Sequence, residues 1–471
     1  MTRTLILLLL CSLGCWSGSN HHRHRARLLE QEGPTAALRY LEDKKAEVYA
    51  GDEELGLFDQ ALLYHYQGQV KKSNLVLDQL FQSLVRQVSE VPSAAEGAEG
   101  VLFAYRRLRL LVQRFFVHLV QTLNHLFAED HTSLLLYNDL LAGTYRALTG
   151  ARAGFLAPTQ YLVGLSYERL QEPEQAYVCY LKTMEALLDP GGELATPALR
   201  MLVGGAALRI ASERQFAEFE VLKQRWGFED ISTDRSPRAE GELLLLALSP
   251  RFPRTVQVRR ALQATEASVL THCHAPDRPT AEQSAGLGKC LTALAEGDRA
   301  RLDQLAGQLL EPPGEEEPVP AHRLTLSLPM LEPAQNEVPP LTVSLETRQK
   351  TTTVGLTPFL DFVSVLRRGL FRQRETILDF LLLRGIAEIL AERYRGEDKA
   401  VPEFVEKILA EPLLENSFSP FLPARFQLAQ LSLGGGKYVL QHNEKSLEVI
   451  IRPRQVSLVG MFSFFANGGK P

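Results

Sequence analysis

Cys15 is the residue of this sequence with the most definite chemistry. Arg3 supplies a positive charge, residues 5–10 form a short apolar run, and Gly14 places a small residue directly before the cysteine. This order is typical of an export signal, and a thiol at such a cleavage point is the group that lipoprotein processing acylates. The apolar run is much shorter than the roughly 20 residues that a membrane-spanning helix needs. The sequence therefore predicts a signal peptide over residues 1–14 and a lipid on Cys15.

The residues before Cys15 depart from the usual lipobox, in which leucine stands three positions before the cysteine and a small residue two positions before it. Here Ser12 and Leu13 occupy these places in reversed order, so ordinary signal cleavage beside an unmodified Cys15 is the alternative. Several acyl chains on one cysteine suffice for stable anchoring. Trp16 stands where aspartate retains many lipoproteins in the inner membrane. This favours a lipid anchor on the periplasmic side of the outer membrane.

Two further clusters contain residues of the types that bind metals. The polar stretch 15–27 holds histidines and arginines, and we interpret it as a solvated tether or as a patch attracted to anionic head groups. Residues 271–274 place two imidazoles and a thiol close together, with Cys290 further along. No second ligand pair with zinc spacing follows, so a disulfide between Cys273 and Cys290, or a free buried thiol, is the alternative. We predict no metal site and no cofactor.

The composition indicates a large globular protein. The 471 residues are 45% hydrophobic and 23% charged, with a formal net charge of −5. This apolar content is enough for the cores of two or three domains, and the mixed charges argue against nucleic-acid binding, which needs a concentrated basic stripe. The longest internal apolar run, 243–248, is too short to span a membrane, and we interpret it as part of a core helix.

Two stretches carry small and large residues at the spacings of tetratricopeptide (TPR) repeats. The better copy has Gly164, Tyr167, Ala176 and Tyr180. The same spacing recurs in degenerate form at Ala61, Tyr64, Ser73 and Leu77. Residues 101–149 between the copies show the periodicity of long amphipathic helices, and weaker echoes at 205–221 and 288–304 fit plain helical hairpins.

Stacked helical repeats usually leave a surface on which a peptide or a partner helix docks. Four tyrosines of the two copies are the candidate partner-binding residues: Tyr64, Tyr66, Tyr161 and Tyr167. The sequence therefore predicts a TPR-like helical repeat domain over residues 28–310.

The pattern changes after this region. Residues 311–322 are rich in proline and glutamate, and we predict a linker there. Alternating apolar residues predict strands at 323–328 and 341–345, and helical periodicity returns over 356–394. Seven arginines between residues 367 and 395 are interpreted as solvated helix surface or as a basic face for acidic partners.

The last part of the chain, 426–465, shows short strand patterns separated by turns, one of them the glycine triplet 434–436. Glycine suits tight turns, so we predict a small antiparallel β meander. The predicted fold is therefore mainly α, with TPR-like helical repeats followed by a smaller α+β C-terminal domain over residues 323–471.

In combination and in this order, these features resemble an uncharacterised family of TPR-containing bacterial outer-membrane lipoproteins. The resemblance rests on the export signal, on residues 63–68 leading to Lys72-Ser73-Asn74, on the repeat near residue 165, on the arginine-rich helices and on residues 422–429 before the glycine turn. In that family the genes often neighbour those of penicillin-binding-protein activator-like lipoproteins. The resemblance implies a role in envelope assembly.

No nucleophile elbow and no Ser-His-Asp arrangement can be singled out in the sequence. We therefore expect a non-catalytic scaffold that faces the periplasm, is held to the membrane by its lipid anchor and binds another envelope protein. The alternative is a hydrolase acting on envelope material, since a pair of catalytic carboxylates that meets only in the folded chain has no sequence pattern.

Overall fold

The computed structural model describes a helical part of the chain and the strands and helices that follow it. The described residues are 24, 28–29, 32–49, 52–92, 95, 97–151, 155–188, 197–228, 240–249, 255–263, 323–331, 342–346, 351–355, 357–396, 399–414, 419, 421–422, 425–442, 445–453 and 456–461. Several predicted features lie outside them: Cys15 with its signal peptide, the metal candidate at 271–274, Cys290, the echo at 288–304 and the linker 311–322.

Within the described residues, the helical part precedes the strands, and three further helices lie among the strands. The first nine helices are α1 (Pro34–Val48), α2 (Glu53–Tyr66), α3 (Val70–Glu90), α4 (Gly97–Phe127), α5 (His131–Thr149), α6 (Ala157–Arg169), α7 (Pro173–Leu188), α8 (Pro197–Glu213) and α9 (Phe219–Trp226). The later helices are α10 (Phe362–Arg372), α11 (Arg374–Gly396) and α12 (Glu403–Ala410). The protein is mainly helical, as the sequence predicted.

Local sequence explains where several helices begin and end. The carboxylate of Asp52 accepts the amide of Leu55 at 3.0 Å and caps α2, and Asp130 accepts the amide of Ser133 at 3.2 Å and caps α5. Such caps satisfy amides that have no partner within the helix. Gly150 ends α5 in the left-handed region, with φ of 65°.

The helices α2 to α9 form four hairpins in the described part of the chain, and their turns share one geometry. One residue in each turn has a left-handed backbone: Gly68, Glu129, Gln171 and Gln215, with φ of 72°, 60°, 62° and 56°. In every turn the next amide donates to the carbonyl five residues earlier, at 2.9–3.0 Å, which is the hydrogen bond of a Schellman motif. The hairpin α4/α5 therefore has the same turn as the two copies that the sequence singled out.

Close contacts hold each hairpin together and join it to the next. The hydroxyl of Ser73 donates to the carbonyl of Ala61 at 2.8 Å, and the buried ring of Tyr180 lies directly against Gly164. The Tyr180 hydroxyl donates to Glu168 at 2.7 Å, and Arg209 of α8 donates to both oxygens of the same carboxylate at 2.6 and 2.7 Å. This buried carboxylate therefore connects α6, α7 and α8.

The strands form two four-stranded sheets and one two-stranded sheet within the described residues. They are β1 (Glu240–Ser249), β2 (Thr255–Gln263), β3 (Arg323–Leu331), β4 (Thr342–Glu346), β5 (Thr351–Gly355), β6 (Thr357–Asp361), β7 (Arg425–Gly434), β8 (Gly436–His442), β9 (Lys445–Ile451) and β10 (Val456–Met461). The sheet orders are β10-β1-β7-β6, β2-β3 and β5-β4-β8-β9. The predicted strands at 323–328 and 341–345 are confirmed as β3 and β4.

The interpretation of residues 243–248 as a core helix is wrong, because they form the centre of β1. β1 pairs with β10 in parallel and with β7 in antiparallel orientation. Leu244 and Leu246 pack into the main core with the helices, whereas Leu243 and Leu245 pack against β7, β8 and β9. A strand buried on both faces needs no polar alternation, so its sequence does not distinguish it from a helix.

The predicted meander is also wrong, although its strands are present. β7 and β8 are consecutive in the chain but belong to different sheets, and β10 pairs in parallel with β1. The helical pattern assigned to 356–394 begins later than predicted, since β6 occupies 357–361 and pairs with β7. In addition, β1 and β2 fall within 28–310, the range assigned to helical repeats. The domain boundaries stay a prediction.

Gly164→Ala tests the contact that closes the hairpin α6/α7. A β-carbon at residue 164 would lie 2.4 Å from Cε1 of the buried Tyr180 ring, so we expect the free energy of unfolding to fall by about 1–3 kcal/mol. Gly205→Ala in α8 is the matched control, because nothing lies within 4 Å of the added carbon, and it is expected to stabilise by about 0.5–1 kcal/mol. Chemical denaturation followed by circular dichroism measures both, and equal effects would contradict the close contact.

Candidate functional site

The four tyrosines predicted to bind a partner do not share one open surface. Tyr64 is half-buried, and the ammonium of Lys72 lies 5.5 Å from its ring centroid. Tyr167 is half-buried against a histidine ring of α5, with centroids 4.4 Å apart. Tyr66 and Tyr161 are only 3% and 0% exposed. The prediction that they bind a partner is therefore wrong for Tyr66 and Tyr161, because buried rings cannot contact another protein.

The C-terminal part of the chain covers these two tyrosines. The Tyr66 hydroxyl donates to the carbonyl oxygen of Phe421, and the Tyr161 hydroxyl donates to Gln430 Oε1 at 3.4 Å. Tyr105 of α4 stacks on a phenylalanine of α11, with ring centroids 3.7 Å apart. This side of α2, α4 and α6, which the sequence assigned to a partner, is thus occupied by the protein itself.

Glu411, directly after α12, is the main charged group in this contact. Its side chain is 2% exposed and accepts hydrogen bonds from Nε of Arg106 at 2.8 Å and Nε of Arg109 at 3.1 Å. Arg384 of α11 donates to the carbonyl oxygen of Glu411 at 2.7 Å. Two guanidinium groups offset the cost of burying one carboxylate. The end of α12 is therefore fixed to both α4 and α11, and Arg384 is not simply solvated surface.

Further along α4, a polar cluster joins it to α3 and α5. Gln121 Nε2 and the Tyr137 hydroxyl both donate to Asp78 Oδ1, at 2.8 and 3.3 Å. The ring of Tyr137 stacks on His125 of α4, with centroids 4.9 Å apart and an angle of 8°. His118 is fully buried beside them. These contacts join α3 and α5 to α4 and to each other.

Two buried histidines of this region are neutral at pH 7. Burial lowers the pKa of His118 to about 4, although a hydrogen bond with Gln121 acts in the opposite direction. Burial also lowers the pKa of His65 to about 4, again against a hydrogen bond, here with Asn124. His65 Nδ1 lies 2.6 Å from Asn124 Oδ1. Since neither ring titrates near neutral pH, both are neutral polar groups of the buried interior.

The helices α3, α5 and α7 carry exposed aliphatic side chains at equivalent positions. Leu75, Leu136 and Val178 each lie seven residues after the left-handed residue of their turn, and they are 61%, 58% and 47% exposed. One exposed leucine is ordinary, but the same exposure in three successive hairpins makes a row. We call these three residues the outer aliphatic row, and the surface around them the outer face.

Sequence reasoning missed this row, although the pattern was available. The TPR spacing is defined by small and large residues, and Leu75 and Val178 lie two residues after its small residues Ser73 and Ala176. The hairpin α4/α5 was not recognised as a copy, so Leu136 had no counterpart. An alignment that included the exposed positions of all three hairpins would have found the row.

The part of the chain that the structure describes also bears on three other kinds of functional feature: a metal site, a membrane-spanning helix and a reactive thiol. No group of three or more His, Cys, Asp or Glu side chains there could hold a metal ion. Among the same residues no helix is long and apolar enough to cross a membrane. Cys179 is buried, and burial raises the pKa of its thiol to about 11, so the reactive thiolate is scarce at neutral pH.

Comparison with known proteins identifies no relative: no family model, no curated protein and no solved structure matches this chain.

Glu411→Gln tests the contact between α12 and α4. The substitution removes the charge that faces two arginines, and we expect the free energy of unfolding to fall by about 3–5 kcal/mol, the usual effect of breaking a buried ion pair. Glu406→Gln on the exposed side of α12 is the control, with an expected change within about 0.5 kcal/mol. Denaturant titration measures both, and a loss below about 1 kcal/mol at residue 411 would show that the buried pair contributes little.

The two neutral histidines predict a pH dependence of stability. Their folded pKa values of about 4 lie below the unfolded value of 6.5, so the unfolded chain takes up protons first as the pH falls. Stability is therefore lost between about pH 6.5 and pH 4, by about 1.4 kcal/mol per pH unit for each histidine. We expect His118→Gln to reduce this slope by that amount, measured by denaturation at a series of pH values. Parallel pH profiles for the two proteins would contradict the burial of a neutral ring.

Proposed function

We propose that this protein is a non-catalytic scaffold of the bacterial cell envelope that binds other protein chains through its outer face. In this proposal acylated Cys15 holds it at the outer membrane, on the periplasmic side, as in the lipoprotein family that the sequence resembles. The observation that carries the scaffold role is the outer aliphatic row: exposed apolar patches mark interaction sites, and the same helix position is aliphatic and exposed in three successive hairpins.

The way in which the hairpins follow one another supports this proposal. The first helices of successive hairpins contact one another in series, α2 with α4 and α4 with α6, and each second helix packs on the next first helix. Together with the shared turn geometry, this order is the one expected of a helical solenoid, in which each unit contacts its neighbours. Solenoids commonly serve as docking platforms.

The position of the C-terminal part indicates which side of the hairpins is accessible to a partner. It covers one side of α2, α4 and α6 through Tyr66, Tyr161 and Glu411. The buried carboxylates Glu168 and Glu411 are each paired with arginine, and no arrangement of the described residues specifically favours the hydrolase alternative. We therefore place the function on the outer face.

Leu136→Asp tests the outer face as a docking surface. A carboxylate in the middle of the row costs desolvation when a partner covers it, so we expect proteins recovered with the full-length chain from detergent-solubilised membranes to fall by roughly tenfold or more. The change should not unfold the protein, since residue 136 is exposed.

Leu170→Asp is the matched control, because Leu170 is also exposed, at 48%, but lies in a turn outside the row. Cys15→Ser shows what is recovered when the proposed anchor is absent. Equal recovery of partners with Leu136→Asp and Leu170→Asp would refute the outer face as the docking site.

A further inference from the structure

We propose that the outer face binds a second copy of this chain, forming a two-fold symmetric dimer whose axis runs along α5. This inference rests on the proposed function of the outer face and names its partner. It follows from how the aliphatic and charged side chains of α3, α5 and α7 are arranged.

The three outer helices follow one another in the order α3, α5, α7, with a direct hydrogen bond from α5 to α3 and a link from α5 to α7 that runs through α6. Tyr137 of α5 reaches Asp78 of α3 at 3.3 Å. Asn138 of α5 donates to Gln160 of α6 at 3.1 Å, and the same glutamine is hydrogen-bonded to Cys179 of α7. Because the three helices follow the same turn geometry, the outer aliphatic row crosses them with α5 in the middle.

The aliphatic side chains are symmetric about α5. Leu136 stands at the centre of the row, Leu75 and Val178 stand on either side, and all three are about half exposed or more. Leu140, 36% exposed, lies one turn after Leu136 on the same helix. A two-fold axis along α5 brings Leu136 and Leu140 against their own copies, and Leu75 against the partner's Val178.

The charges beside the row have opposite signs at its two ends. One turn before the row stand Lys71 on α3, Thr132 on α5 and Glu174 on α7, all exposed. The same axis brings Lys71 against the partner's Glu174, twice in the dimer. One turn after the row, the same axis brings Gln79 of α3 against the partner's Lys182, so no like charges meet at these two positions.

On this face the apolar residues match on the two sides of α5, whereas the charges on the two sides are opposite. Such a face is complementary to a copy of itself that is rotated by 180° about α5. This is the requirement for an isologous dimer, and an unrelated partner would have to supply the same pattern. Glu174 also lies 3.4 Å from Arg214 in its own chain, with both side chains about half exposed. Such a surface pair is weak and leaves the other carboxylate oxygen for the lysine of the second copy.

Cysteine cross-linking of the full-length chain in its membranes tests the dimer. Leu136→Cys, in a background with Cys273→Ser and Cys290→Ser, lies on the proposed axis and should form a disulfide with its own copy on mild oxidation. The expected result is a band of twice the chain mass on a non-reducing gel. Leu170→Cys in the same background is the control and should give no such band.

Exchanging the charges of Lys71 and Glu174 distinguishes a specific dimer from accidental cross-linking, because only a specific dimer depends on these charges. Lys71→Glu places like charges at both ends of the interface, and we expect the dimer band of Leu136→Cys to weaken by roughly fivefold. Adding Glu174→Lys to Lys71→Glu reverses both partners and should restore the band to within about twofold of its original intensity.

Absence of a dimer band above the Leu170→Cys control would overturn the proposal, as would a band that Lys71→Glu leaves unchanged. Cross-linking of Leu136→Cys only to a protein of different mass would also overturn the second copy, but it would support the scaffold role of the outer face. If Leu136→Asp leaves the recovery of every partner unchanged, including a second, differently tagged copy of the chain, the scaffold role itself is refuted.

Discussion

The buried carboxylate of Glu411 decides which surfaces of this protein are available. It lies between Arg106 and Arg109 of α4, and Arg384 of α11 binds its backbone carbonyl. A buried charge is tolerated only where partners replace its hydration. The end of α12 is therefore held in the position in which Glu411 accepts hydrogen bonds from all three arginines. That position places the C-terminal part against one side of the hairpins and leaves the other side to solvent.

The polar residues of α4 impose a second constraint on the same helices. His118, Gln121 and Asn124 are buried in a region where leucines would pack as well. Gln121 and Asn124 must each meet a specific partner on α3, as Gln121 meets Asp78 and Asn124 meets Ser73. A slipped register would leave these groups buried and unpaired, which costs more than a lost apolar contact. The network therefore specifies how the hairpins stack.

The sequence predicted what is local in this fold and missed what depends on distant partners. The helices and hairpin turns follow from periodicity and from residues close in sequence, such as Gly164 and Tyr180. The burial of Tyr66 depends on Phe421, 355 residues away, and no local pattern indicates which element covers a helix face. For β1 the reason differs: burial on both faces removed the alternation that identifies a strand.

The sequence of an amphipathic helix does not reveal which of the side chains outside its buried face will be covered by another surface. In α3, α5 and α7 the buried positions are fixed by contact with the preceding and following helices, so the remaining side is free to vary. Aliphatic residues at one equivalent position on three such sides give the folded monomer little, because they stay half exposed or more. Their burial is favourable only against another surface. The repetition is therefore better explained by an interaction than by the stability of the isolated chain.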